Sequence, residues 1–164
     1  WEEANYENSI VTRPAVSVDE QHGFVPGERN EKMAPWTRPI VDVLSDNFCQ
    51  REVERQMRES ILEISPLAYM RGRTFKNSVI IADEMQNATP SQVKMLLTRI
   101  GKGSRMVVTG ELQQADSKTS KGLLEVTQKG KSKKLERLAV CNLETGEVER
   151  DEAVKEELDS YGEE

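Results

Sequence analysis

The pair with the clearest chemistry is Asp83-Glu84, which closes the apolar run Ser78-Val79-Ile80-Ile81-Ala82. A charge-free run that ends abruptly in two acids reads as a buried parallel strand delivering carboxylates to the carboxyl edge of a sheet, where α/β proteins bind ligands. There the first carboxylate can hold Mg2+, directly or through water, while the second polarises a water beside a phosphate. The same residues fit a strand that ends in a solvated acidic turn, so the pair by itself leaves both readings open. Two further clusters could grip a polyanion. Thr12 and Arg13, ahead of Pro14, place a hydroxyl and a guanidinium at a strand exit. Arg71 and Arg73 flank Gly72 just after Tyr69, combining charge for a phosphate with a ring on which a base could stack. Each cluster is equally compatible with an exposed turn.

The elements around these residues follow from periodicity and punctuation. Ile10 and Val11 predict a strand that Thr12 ends, and Gly23-Phe24-Val25-Pro26-Gly27 reads as a turn before the charged connector Glu28 to Lys32. A helix is expected from about Thr37, with Pro39 in its first turn and Ile40, Val43, Leu44 and Phe48 on one apolar face. A second, from about Gln50 to Ser60, repeats Val53, Met57 and Ile61 among charges and so faces mostly solvent. Ile61 to Ile64 reads as a short strand. Thr89-Pro90-Ser91-Gln92 has the form of a capping box, and Val93, Leu96, Leu97 and Ile100 give the helix a buried stripe that Gly101 stops. Arg105 to Gly110 is the next strand, so Ile80 to Val108 makes one βαβ unit with parallel strands. Glu111 to Asp116 then emerges beside Asp83 and Glu84, where the carboxamide of Gln113 or Gln114 could sense a terminal phosphate or orient water. Beyond Ser117 the lysines at 118, 121, 129, 131, 133 and 134 mark a basic segment, read as a solvated loop ahead of a nucleic-acid contact, with a short helix near Leu123, Leu124 and Val126. Leu138 to Cys141 is expected to be one more strand, and Glu156 to Glu164 an acidic, frayed end.

Composition limits the classes of function. The 164 residues are 36% hydrophobic, 5% aromatic and 32% charged, enough for one domain but a thin supply for two fully covered sheet faces. A net charge of −6 argues against broad nonspecific nucleic-acid binding by the whole chain while allowing a local basic groove. No apolar run reaches membrane-spanning length and the first residues lack the pattern of a signal peptide, so the reading is of a cytoplasmic protein with no membrane partner. Cys49 and Cys141 fit no metal spacing and read as reduced, structural thiols, and the lone His22 sits in a polar loop with no partner for catalysis.

Taken together, Val11 to Val16, Gly23 to Gly27, Pro66 to Thr74, the acidic strand end, Leu97 to Gly101 and Val107 to Gly110 resemble, in order, the PhoH-like family of P-loop ATPases. The resemblance runs through residues 9 to 116 and extends to superfamily 1 helicases, whose Asp-Glu-x-Gln box is similar to Asp83-Glu84-Met85-Gln86 and whose strand-contacting segment is similar to Thr12-Arg13-Pro14. It implies a partial RecA-like P-loop NTPase core, an α/β fold with a mainly parallel sheet flanked by helices, over residues 1–155, followed by an acidic tail at 156–164. It implies ATP and Mg2+ as cofactors, with Asp83 on the metal, Glu84 and Gln114 in catalysis, and Arg150 contacting the γ-phosphate. It also implies a single RNA or DNA strand held by Thr12, Arg13, Tyr69, Arg71 and Arg73, and a ring-shaped homo-oligomer of the complete protein. The chain departs from the family where Gly-x-x-x-x-Gly-Lys followed by Ser or Thr should precede Ile10, since residues 1–9 contain no glycine, and where Glu111 replaces the usual Asp. The expectation is therefore the carboxyl-terminal part of an ATPase, a fragment or a split gene product, with a phage source in keeping with the family. The alternative is a catalytically inactive nucleic-acid-binding or oligomerisation module.

Overall fold

A computed structural model describes residues 6–14, 37–111, 121–132 and 137–143. Its centre is a parallel sheet of β1 (Asn8–Arg13), β2 (Leu62–Pro66), β3 (Ser78–Ala82) and β4 (Arg105–Val108), in the order β2-β1-β3-β4. Four α-helices accompany it among the described residues: α1 (Arg38–Asn47), α2 (Gln50–Arg58), α3 (Pro90–Leu97) and α4 (Gly122–Ser132). The fold is α/β, as the alternation of apolar runs and amphipathic stretches requires.

Register distributes the side chains between two faces. Ile10 lies opposite Ile80, and Ile80 opposite Met106, so these residues share one face; Val11, Ile64, Ile81 and Val107 share the other. On the first face Ile10, Ile80 and Ala82 pack with Leu67 and Met70 from a 3-10 turn, with Phe75 and Met85, and with Val93 and Leu96 of α3. Burying each large side chain there stabilises the fold by roughly 1.5–3 kcal/mol. On the second face Val11 and Leu62 pack with Ile40 of α1 and Val53 of α2, and Met57 lies against this cluster as a packing residue. That cover does not extend over β4, where Val107 is 50% exposed.

Several elements differ from the sequence reading. The α3 stripe was expected to reach Ile100, but the helix ends at Leu97 and Ile100 is 44% exposed. A β-bridge between Phe75 and Ile100 competes for this segment: Phe75 N donates to Arg99 O at 2.9 Å and Gly101 N donates to Phe75 O at 2.7 Å. Val43 and Phe48, expected on the apolar face of α1, are exposed, and it is Ile40 and Leu44 that reach the cluster on this face of the sheet. The helix near Leu123 runs on to Ser132 and takes Lys129 and Lys131 with it, where a loop was expected. Leu138 to Cys141 joins no ladder and is not a strand. Cys49 and Cys141 are free, but both are exposed, so neither packs a core.

The chain divides into two compact units, residues 1–126 and 127–164. The first contains the sheet; in the second, Gly130 of α4 lies against Leu138 and Val140. The expected boundary near residue 155, the Gly23–Gly27 turn and His22 lie outside the described residues. Among the described residues no helix is long and apolar enough to cross a membrane.

Candidate functional site

Parallel pairing brings the carboxyl ends of all four strands to one edge. Thr12 is in register with Ala82 and with Ser65, and Ala82 with Val108. The ladder continues into the loops: Asp83 N donates to Thr12 O at 2.9 Å, Thr109 N to Ala82 O at 2.9 Å, and Met85 N to Thr109 O at 3.0 Å. Asp83 therefore emerges between the ends of β1 and β4. Arg13 Nε donates to Asp83 Oδ2 at 2.8 Å with Nη2 on the same oxygen, and Thr109 Oγ1 donates to Oδ1 at 2.5 Å. Burial pushes the Asp83 carboxyl up, but the Thr109 hydroxyl and the Arg13 guanidinium outweigh it and hold the group below its ordinary range. The acid is ionised, and its side chain remains 30% exposed.

Glu84 takes the left-handed conformation, φ +56° and ψ +34°, and starts a 3-10 turn, Met85–Asn87. Its side chain is exposed at the edge, within reach of water. Gln86 is buried beneath it, its amide Nε2 donating to Glu84 Oε2 at 2.6 Å and its Oε1 accepting from Glu111 N at 3.3 Å. Gly110 is required by this packing, since a Cβ there would stand 2.8 Å from Gln86 Oε1 and 2.9 Å from Gln86 N. The sequence reading had no role for Thr109, and placed Gln86 in the segment similar to the helicase box without giving it a contact. Thr109 carried a usable signal, a hydroxyl at the end of a strand expected beside Asp83; Gln86 closes the segment that resembles the helicase box, and its bond to Glu84 is local, whereas its bond from Glu111 N is tertiary.

The residues assigned to nucleic acid do not gather in one place. Thr12 is wholly buried, its Oγ1 without a hydrogen-bond partner, so its side chain faces the first core and not a passing strand. Arg13 is taken up by Asp83. Arg73 turns back from the carboxyl edge: it forms two bonds to Glu63, at 2.6 and 2.7 Å, and lies 4.6 Å from the centre of the Phe75 ring. There it lines a cleft of about 280 Å³ with Asn8, Ser9 and Ser78, at the amino ends of β1 and β3. The expectation that Thr12, Arg13 and Arg73 hold one strand together is thus corrected, because Thr12 is buried, Asp83 engages Arg13 and Glu63 captures Arg73. Tyr69 and Arg71 are exposed on the turn that directly follows β2. Gln114 and Arg150 lie outside the described residues, so the convergence of Gln114 with Asp83 is not part of the geometry; the loop toward it does leave β4 beside Asp83.

Comparison with known proteins accords with this arrangement. A family model described as PhoH-like protein matches residues 1–162. A PhoH-like protein of Bacillus subtilis is 43% identical over 153 residues, 93% of this chain and 48% of its own length. One from Synechocystis is 42% identical over 153 residues, 93% of this chain and 46% of its own. Protein PhoH of Escherichia coli K12 is 48% identical over 109 residues, 65% of this chain and 31% of its own. The chain spans about half the length, or less, of these relatives. With the family model covering nearly every residue and a parallel α/β sheet presenting the acidic strand end at its carboxyl edge, the chain belongs to the PhoH-like protein family.

Proposed function

We propose that these residues form the part of a PhoH-like ATPase that carries the hydrolytic acids, and that the complete protein couples ATP hydrolysis to a single strand of RNA or DNA. The observation that supports this reading is the Asp83-Glu84 pair at the sheet's carboxyl edge, one acid held ionised and the other exposed to water. Among the described residues no group of three or more His, Cys, Asp or Glu could hold a metal ion. Mg2+ commonly takes only one or two carboxylates, with waters and phosphate oxygens filling its remaining positions, and Asp83 fits that use. Bound there, the ion would neutralise charge on the phosphates. Asp83 would hold it, Glu84 would take a proton from the attacking water, and Thr109 would keep Asp83 oriented.

The second reading is an inactive binding module, and the Arg13–Asp83 pair favours it: with Thr109, that pair satisfies Asp83 as a structural ion pair needs no metal. ATP turnover separates the two. The 164 residues contain no Gly-x-x-x-x-Gly-Lys, so no backbone nest for a triphosphate is encoded in them, and alone they are expected to show no turnover. Joined to an amino-terminal segment that carries a complete phosphate loop they are expected to hydrolyse ATP, and Glu84→Gln in that protein to lower kcat by about 10²-fold or more while retaining ATP binding. A joined protein that binds ATP without hydrolysing it would decide for the inactive module. Full turnover by Glu84→Gln would remove Glu84 from its role.

A further inference from the structure

Gln86 closes the segment similar to the helicase box but has no chemical role so far, yet it is the only side chain hydrogen-bonded to Glu84 among the described residues, and it is 5% exposed. Its amide stands between a carboxylate, which only accepts, and a backbone N–H, which only donates. One orientation alone satisfies both: nitrogen toward Glu84 Oε2 at 2.6 Å, oxygen toward Glu111 N at 3.3 Å. Packing holds it there, with Gly110 approaching so closely that any Cβ would meet both Gln86 Oε1 and its backbone nitrogen. The two loops are stitched behind it by Met85 N donating to Thr109 O at 3.0 Å. Glu84 itself projects from a left-handed backbone and is otherwise free in solvent, where a long carboxylate samples several rotamers.

From this we infer that Gln86 is a positioning residue: it fixes the Glu84 carboxylate for proton transfer and ties its orientation to the segment leaving β4. A displacement of Gly110-Glu111 reaches the acid through one carboxamide. The inference rests on the reading of Glu84 as the group that accepts the proton.

The test uses the joined, complete-length protein. Gln86→Glu keeps an acceptor for Glu111 N and removes the donor to Glu84; Gln86→Met removes both at similar length. Each is expected to lower kcat at least tenfold while KM for ATP stays within twofold, since Gln86 is buried beneath Glu84 and away from the surface a nucleotide would use. A residue that merely supported the fold would instead lower the melting temperature and disturb KM with kcat. In a Glu84→Gln background, Gln86→Glu is expected to have no further effect, because the group it positions is gone. Wild-type kcat in Gln86→Glu, or a loss that multiplies with that of Glu84→Gln, would overturn the inference while leaving the ATPase reading intact. Absence of turnover in the joined wild type would overturn the ATPase reading, and this inference with it.

Discussion

At the scale of single residues, the site combines one comfortable acid with one strained one. Asp83 has a donor on each carboxylate oxygen, whereas Glu84 sits at φ +56°, which costs a residue with a Cβ about 1–2 kcal/mol. Non-glycine residues persist there when the surroundings over-determine them, and such residues cluster at functional sites. Replacing Glu84 by glycine releases that strain but gives the unfolded chain more freedom, worth roughly 0.5–1 kcal/mol against folding. The balance favours glycine by about 0–1.5 kcal/mol, roughly 2 °C in Tm at the middle of that range for a chain of this size. Thermal unfolding of Glu84→Gly is thus expected to give a slightly higher Tm together with lost hydrolysis in the complete-length protein; a clearly lower Tm would mean that the bond from Gln86 outweighs the strain. The place of Asp83 and Glu84 at the carboxyl edge was legible in the sequence because an uncharged apolar run ending in acids reads as a buried parallel strand. The engagement of Arg13 was not, since its partner lies 70 residues away and only strand pairing brings the two together.

Among the elements, α3 was read correctly at its start and wrongly at its end, and the physical causes differ. Its start is local chemistry: Gln92 N donates to Thr89 Oγ1 at 3.3 Å and Thr89 N to Gln92 Oε1 at 2.9 Å, within four residues of sequence. Thr89→Ala is expected to cost about 1 kcal/mol, measured by denaturant unfolding. Its end is decided by Phe75, a residue far upstream that claims Arg99 and Gly101 for a bridge, so helical periodicity through Ile100 misled. Gly101 matters there for space, since a Cβ would stand 2.4 Å from the Phe75 carbonyl oxygen, and backbone cannot move aside cheaply. The link between β2 and the loop after it is electrostatic. Two bonds from Arg73, opposed by burial and aided by Ser65, hold the Glu63 carboxyl below its ordinary value of 4.5. A depressed acid stabilises the fold fully above its unfolded value and loses that contribution as pH falls through the folded one. The stability difference between wild type and Glu63→Gln, on the order of 1 kcal/mol for a partly exposed pair, is therefore expected at pH 7 and to shrink steadily below pH 4.5. A difference independent of pH would mean that shape, and not charge, makes the link.

For the molecule as a whole, a net charge of −6 sets the terms on which a polynucleotide could be held. The overall field opposes binding, so the affinity must come from cations that the fold has not already neutralised. Arg13 is paired with Asp83, Arg55 with Glu52 and Glu59, and Arg73 with Glu63. Arg71 makes no ion pair among the described residues, and it stands two positions from Tyr69, a residue 61% exposed on the same turn. Arg13, Arg71 and Arg73, the arginines expected to hold a strand, look alike in sequence, and only the folded chain separates Arg71 from the two that are used internally. In the joined, complete-length protein, binding of a single-stranded oligonucleotide is expected to weaken with salt. Arg71→Ala should reduce the slope of log K against log salt by about 0.7, the release expected for one phosphate contact on a single strand. Tyr69→Ala should leave that slope alone and cost about 1–3 kcal/mol if one base stacks on the ring. Arg73→Ala should do neither, but lower Tm by leaving Glu63 without its partner. If the slope responds to Arg73→Ala and not to Arg71→Ala, the strand runs over the amino-edge cleft and the carboxyl-edge turn has no part in holding it.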